Sequence, residues 1–180
     1  MKDQIKRHSK FLSLLLRHKP ETVGLKLDAQ GWANTNELLQ KINQTGRQIS
    51  PELLDQIVET NDKKRFVFNE DKSQIRAAQG HSLKVELDYK PLVPPTTLYH
   101  GTITETAELI KQSGIKKMQR HQVHLSADTD TAKIVAARRG KAVILIVDAL
   151  KMHDEGYKFF QSDNGVWLTD FVPDQYIQFP

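Results

Sequence analysis

Apolar residues recur at helical spacing over residues 3–18, with Ile5, Leu12, Leu15 and Leu16 on one side, and this predicts an amphipathic helix. Pro20 disfavours helical geometry at Lys19, so the helix is expected to end near His18. A short strand around Leu25–Leu27 should precede Gly31 and Trp32, followed by a second helix from Thr35 to Ile42 that Gly46 breaks. Ser50 before Pro51 is a capped helix start, and this third helix should run to about Thr60. Arg65–Phe68 and Gln74–Ala77 read as two strands joined by residues 69–73, a hairpin. Three helices and then a hairpin is the order of a winged helix.

Residues 83–97, with Pro91, Pro94 and Pro95, read as a linker. Beyond it the pattern changes to short strands with two helices. Leu98–Thr102 is strand-like, a helix over Thr104–Gln112 stops at Gly114, and Gln122–Leu125 is a further strand. Ser126 or Asp128 should cap a helix reaching Arg138, with Gly140 beyond it. Ala142–Val147 is a buried strand, and 158–161, 166–168 and 176–179 suit three more. The chain is therefore expected to be α+β, with one lobe over residues 1–90 and a second over 91–180.

Composition narrows the function. With 38% hydrophobic and 27% charged residues, the 180-residue chain falls in the globular range. Its longest uncharged apolar run, Ala142–Val147, is far shorter than the ~20 residues of a membrane-spanning helix, and no membrane partner is expected. The polar amino terminus has no apolar signal region. The absence of cysteine excludes disulfides, thiolate nucleophiles and Cys-based zinc sites, and together these features suggest a cytoplasmic protein. A pI near 9.2, with eight cations against two acids over residues 111–141, calls for an anionic partner such as RNA or a phosphorylated small molecule. Duplex DNA is disfavoured, because the helix that would enter the major groove carries Glu52, Asp55 and Glu59 and no cation.

No two glycines are spaced as GxG, and no GxxxxGK[ST] loop is present, so a nucleotide here would need another kind of site. His100-Gly101-Thr102 and His124-Leu125-Ser126 each place an imidazole and a hydroxyl on one face of a strand. Either motif alone reads as a hydrogen-bonded core histidine. Two in one lobe point to a site, and Gly101 would let a ligand approach the backbone. A metal is not expected: His121 and His124 face opposite sides of a strand and no carboxylate pattern accompanies them. The guanidinium candidates are Arg17, Arg65, Arg76, Arg120, Arg138 and Arg139, and each alone is by default a solvated surface group. Arg17 and His18 stand where a helix must stop. They either complement its dipole, for up to ~1 kcal/mol, or hold an anion. Arg120 lies at a loop-to-strand edge, where functional side chains often sit.

LLLRHKP (14–20), NDKKRF (61–66), QGHS (79–82), LYHGT (98–102), RHQVHLSA (120–127) and NGVWLT (164–169), in this order, resemble the NAD-dependent RNA 2′-phosphotransferases of the KptA family. The resemblance runs from about Ser9 to Trp167. It implies an N-terminal winged-helix lobe and a C-terminal ADP-ribosyltransferase-like lobe of mixed β structure, which grips NAD+ without a Rossmann turn. It implies RNA carrying a 2′-phosphate as substrate, of the tRNA splice-junction type, and NAD+ consumed as co-substrate, with no metal. The RNA phosphate attacks the nicotinamide ribose and expels nicotinamide. The ribose 2″-hydroxyl then attacks that phosphate, giving ADP-ribose 1″,2″-cyclic phosphate and RNA with a free 2′-hydroxyl. The family's catalytic set falls on Arg17, His18, Arg65 and Arg120, and its NAD+-gripping residues on His100, Gly101, Thr102, His124, Leu125 and Ser126, with Asn164, Val166 and Trp167 lining the same site. Two rivals stand beside it. The paired His-x-hydroxyl motifs also resemble two-histidine cyclic phosphoesterases, whose motifs usually stand further apart than the 24 residues here. A non-catalytic winged-helix RNA-binding protein would account for the first lobe alone.

Overall fold

The computed structural model describes residues 2–61, 63–138 and 140–180. The chain is α+β and divides into two units, Met1–Asp88 and Tyr89–Pro180.

The first unit opens with α1 (Lys2–Arg17), whose Leu12, Leu15 and Leu16 are fully buried. Burying side chains of this kind stabilises by about 1.5–3 kcal/mol each. A 3-10 turn over Pro20–Val23 follows, with Gly24 in the left-handed region at φ 65°. Strand β1 (Ala33–Asn34) leads into α2 (Thr35–Gln44), and the Asn34 side chain accepts from the Glu37 amide as its cap. Helix α3 (Pro51–Glu59) is capped by Ser50, which accepts from the Leu53 amide. Strands β2 (Phe66–Phe68) and β3 (Gln74–Ala77) form the hairpin, and the sheet order is β1-β3-β2, all antiparallel. Leu38, Ile42, Leu54, Ile57, Phe66 and Ile75 complete the core beneath α1. The strand expected at Leu25–Leu27 does not form. The Leu25 amide instead closes the preceding turn on the Pro20 carbonyl at 3.0 Å, and β1 takes the place beside β3.

The second unit is built on β4 (Thr97–Ile103), which pairs along its full length with β7 (Ala142–Asp148). Helix α4 (Thr104–Ser113), strands β5 (Ile115–Lys116) and β6 (Val123–Leu125), and α5 (Thr129–Ala136) lie between them in sequence. After β7 come α6 (Ala149–Asp154), β8 (Phe160–Gln161), β9 (Trp167–Thr169), β10 (Phe171–Val172) and β11 (Ile177–Gln178). They form sheets ordered β11-β7-β4, β6-β9-β8 and β10-β5. Asp128, not Ser126, caps α5, accepting from the Thr131 amide at 2.7 Å. The stretch 83–97 has no regular structure until β4 begins, yet it is tied down. The Glu86 amide donates to the Ala29 carbonyl in the first unit, and the Leu92 amide to the Phe159 carbonyl in the second. Among the described residues no helix is long and apolar enough to cross a membrane.

Gly101 has a packing reason the sequence did not suggest. A Cβ there would lie 2.0 Å from the Ala132 carbonyl oxygen, because α5 rests directly on β4. Gly101→Ala is therefore expected to destabilise the protein by about 1–3 kcal/mol, the usual cost of overpacking, read by denaturant unfolding. His8 supplies a pH test. It is buried in α1 with its Nδ1 unpartnered, and burial, reinforced by the charges of Arg47 and Arg7, lowers its pKa. The unfolded chain then takes up a proton that folded His8 refuses, so stability should fall as the pH drops below about 6.5, the unperturbed value. His8→Gln should flatten that slope in unfolding curves recorded across the range.

Candidate active site

In the first unit the candidate residues gather around segment 78–82. The Ser82 amide donates to the Arg17 carbonyl at 2.9 Å, and the Ser82 hydroxyl lies 2.9 Å from His18 Nδ1. Gly80, at φ +85°, passes beside the Arg17 side chain: a Cβ there would stand 3.6 Å from Arg17 Nη1. Arg65 joins the same segment through its backbone. β2 and β3 pair Phe66 with Ala77, and one step further the Ala78 amide donates to the Arg65 carbonyl at 2.9 Å. The Arg65 guanidinium donates from Nη1 to Asn61 Oδ1 at 3.2 Å. Arg17, His18 and Arg65 are thus fastened to one five-residue stretch, Ala78 to Ser82.

In the second unit β4 and β6 are joined by a two-way backbone bridge between Tyr99 and Ser126, at 2.9 and 2.8 Å. This brings the two histidine motifs together. His100 Nδ1 lies 3.2 Å from the His124 carbonyl oxygen, which can only accept, so that ring nitrogen carries a proton. Arg120 Nη1 lies 2.6 Å from His124 Nδ1. A guanidinium has no acceptor, so His124 Nδ1 is the unprotonated nitrogen and its ring proton sits on Nε2. The outcome is a guanidinium and two imidazoles with defined proton positions.

The other candidates are placed differently. His124 and Ser126 share the face of β6 opposite its buried residues, whereas Leu125 belongs to the hydrophobic core. Thr102 shares its strand face with His100 and is buried. Trp167 is also a core residue, 7% exposed, and pairs with Leu125. Asn164 and Val166 sit in the turn before β9, where the Ser162 hydroxyl donates to Asn164 Oδ1 at 2.6 Å and accepts from the Val166 amide. Arg76 is structural: it is buried, paired with Asp88 at 2.8 Å and stacked 4.4 Å from the Trp32 ring centre. Arg138 is exposed, and Arg139 lies outside the described residues. Among the described residues no group of three or more His, Asp or Glu side chains is placed to hold a metal ion. The sequence alone assigned no role to Asn61, in NDKKRF (61–66), or to Ser82, in QGHS (79–82). A short polar residue within a cation-bearing segment was the available signal.

The comparisons with known proteins agree along almost the whole chain. A model of the family described as "RNA 2'-phosphotransferase, Tpt1 / KptA family" matches residues 3–171. A protein of Fusobacterium nucleatum named "Probable RNA 2'-phosphotransferase" is 59% identical over 171 residues, covering 94% of this chain and 96% of its own. Identically named proteins of Flavobacterium johnsoniae and Burkholderia pseudomallei are 54% and 51% identical. They cover 95% and 97% of this chain, and 94% and 95% of their own. The chain is an enzyme of the transferase class. It belongs to the RNA 2′-phosphotransferase, Tpt1 / KptA family, and the cyclic-phosphoesterase and non-catalytic readings fall away.

The partners of the arginines give a stability test. Arg76→Ala should lower the unfolding free energy by about 2 kcal/mol, through lost packing on Trp32 and the broken pair with Asp88. Arg65→Ala, losing one hydrogen bond to an amide, should cost less than about 1 kcal/mol in the same measurement.

Proposed function

We propose that this enzyme transfers an internal RNA 2′-phosphate to NAD+, with Arg17, His18 and Arg65 holding the phosphate and Arg120 as a further catalytic residue. The observation that carries this reading is the fastening of Arg17, His18 and Arg65 to segment 78–82, which concentrates phosphate-binding groups on one short stretch. Arginine suits the task because its planar fork matches phosphoryl oxygens and it stays protonated. We read the first unit as a winged-helix lobe, on its order of three helices and a hairpin, and the second as an ADP-ribosyltransferase-like lobe. We assign the RNA phosphate to the lobe of residues 1–90 and NAD+ to the lobe of residues 91–180.

NAD+ would be held by His100, Gly101, Thr102, His124, Leu125 and Ser126, with Asn164, Val166 and Trp167 alongside. The residues fit it: imidazole N–H groups suit ribose hydroxyls, and the Arg120 guanidinium suits a pyrophosphate or the incoming phosphate. Leu125 and Trp167, being core residues, would contribute through their main chain.

In the first step a phosphate oxygen bonds to C1″ of the nicotinamide ribose as the bond to the pyridinium nitrogen breaks. The electron pair neutralises the departing nicotinamide. The attacking oxygen is already anionic, so no carboxylate base is required, and segment 164–168 offers none. In the second step the ribose 2″-hydroxyl bonds to phosphorus and loses its proton, while the bond from phosphorus to the RNA 2′-oxygen breaks and that oxygen gains one. Fixed donors aimed at such developing charge are typically worth about 3–4 kcal/mol each.

Incubation with NAD+ and a 2′-phosphorylated oligonucleotide should release one nicotinamide for each phosphate lost. RNA that keeps its phosphate with NAD+ present rejects the reading. Arg65→Ala and Arg120→Ala should slow the second step, so that ADP-ribosylated RNA accumulates on a gel. Normal turnover by both variants would remove the arginine clamp.

A further inference from the structure

Asn61 is buried, and its side-chain NH2, side-chain oxygen and main-chain carbonyl each make hydrogen bonds. Its side-chain amide donates to Ser9 Oγ of α1 at 3.1 Å. Its Oδ1 accepts from Arg65 Nη1 and from the Lys63 amide, each at 3.2 Å. Its carbonyl accepts from the Lys64 amide at 2.7 Å, closing a turn tight enough to hold Lys64 at φ 40°. Asn61 therefore locks the turn that carries Arg65 onto the first helix, and it also grips the guanidinium itself.

The grip is made by a neutral group. Elsewhere in the same unit Arg76, which serves the fold, is gripped by the carboxylate of Asp88. A carboxylate in the place of Asn61 would hold Arg65 more strongly, and would cancel the charge that a phosphate must find there. We infer that Asn61 is a positioning residue, which fixes the direction of the Arg65 guanidinium through an uncharged acceptor so that its full positive charge is presented to the RNA 2′-phosphate. This rests on the proposed reading that Arg65 receives that phosphate.

The decisive variant is Asn61→Asp, which keeps the shape and the Arg65 acceptor and lets the Ser9 hydroxyl donate in place of the lost amide. With NAD+ and a 2′-phosphorylated oligonucleotide, it should raise the KM for RNA about tenfold or more, as a charge-assisted phosphate contact is lost. The KM for NAD+ and the melting temperature should hold. The slope of log kcat/KM against log salt should become shallower by about 0.7, one phosphate contact on a single strand. A purely structural Asn61 predicts no such split, since the isostere keeps the turn. An RNA KM and salt slope like those of the parent protein would overturn the inference. If Asn61→Asp melts early, Asn61→Ala is measured alone and together with Arg65→Ala. A residue acting through Arg65 should add no further loss in the double variant, whereas a full additional loss overturns the inference. Arg65→Ala on its own separates the two layers: if it turns over normally the clamp reading fails, and if it is impaired while Asn61→Asp is normal only this inference fails.

Discussion

The last turn of a helix leaves carbonyl groups without partners inside the helix. In α1 the His18 and Lys19 amides close on the Leu14 carbonyl at 3.0 and 2.8 Å, and the Arg17 carbonyl is taken by the amide of Ser82, 65 positions further on. That bond makes the helix end a tertiary feature. The direction in which Arg17 and His18 leave α1 depends on where segment 79–82 lies, and that segment follows closely on β3, just past which the Ala78 amide donates to the Arg65 carbonyl. Cations at a helix C-terminus also gain up to ~1 kcal/mol from the dipole. The dipole, however, favours any cation in the last turn, whereas the Ser82 contacts select one backbone path and one side of the imidazole ring.

The second unit solves the same problem with strands. Its histidines stand on different elements, and what registers them is the Tyr99–Ser126 bridge between β4 and β6. β4 is held in turn by seven consecutive pairs with β7 and by α5 lying on Gly101. A side chain at Gly101 would push α5 away from the strand that carries His100. The glycine therefore acts on the site through packing, and the site and the core share one constraint.

These relations explain what was legible in the sequence. The helices of the first unit, the hairpin and the long strands announced themselves through periodicity and caps, such as Ser50 before Pro51. The six-residue helix α6 did not. Its segment, Ala149–Asp154, follows a strand without interruption, and its only local mark is Asp148 accepting from the Lys151 amide at 3.3 Å. The two-residue strands β5 and β10 exist only as partners of each other, so no local pattern could reveal them. Leu25–Leu27 had strand-like composition but its first amide was already spent on a turn. For the site, the residue types were readable and the supporting contacts were not, because Ser9 meets Asn61 across 52 positions and His18 meets Ser82 across 64.

The arginines of this chain show why residue type alone underdetermines role. Arg76 has a carboxylate on one side and the Trp32 ring on the other, an arrangement that neutralises and shields it. Arg47 lies 4.1 Å over the Phe11 ring, covering apolar surface. Arg65 meets the amide oxygen of Asn61, and Arg120 meets the unprotonated nitrogen of His124. An ion-pair partner attracts a guanidinium through its net charge, and that attraction competes with any incoming phosphate. A neutral acceptor orients the same group through a dipole, whose field falls off faster with distance and leaves the net charge uncancelled. Orientation without neutralisation is what a phosphate clamp needs between turnovers, when nothing anionic is bound. Between Arg76 and Arg65, the chemistry of the holding partner therefore separates the arginine that serves the fold from the one proposed to serve the reaction more sharply than exposure does.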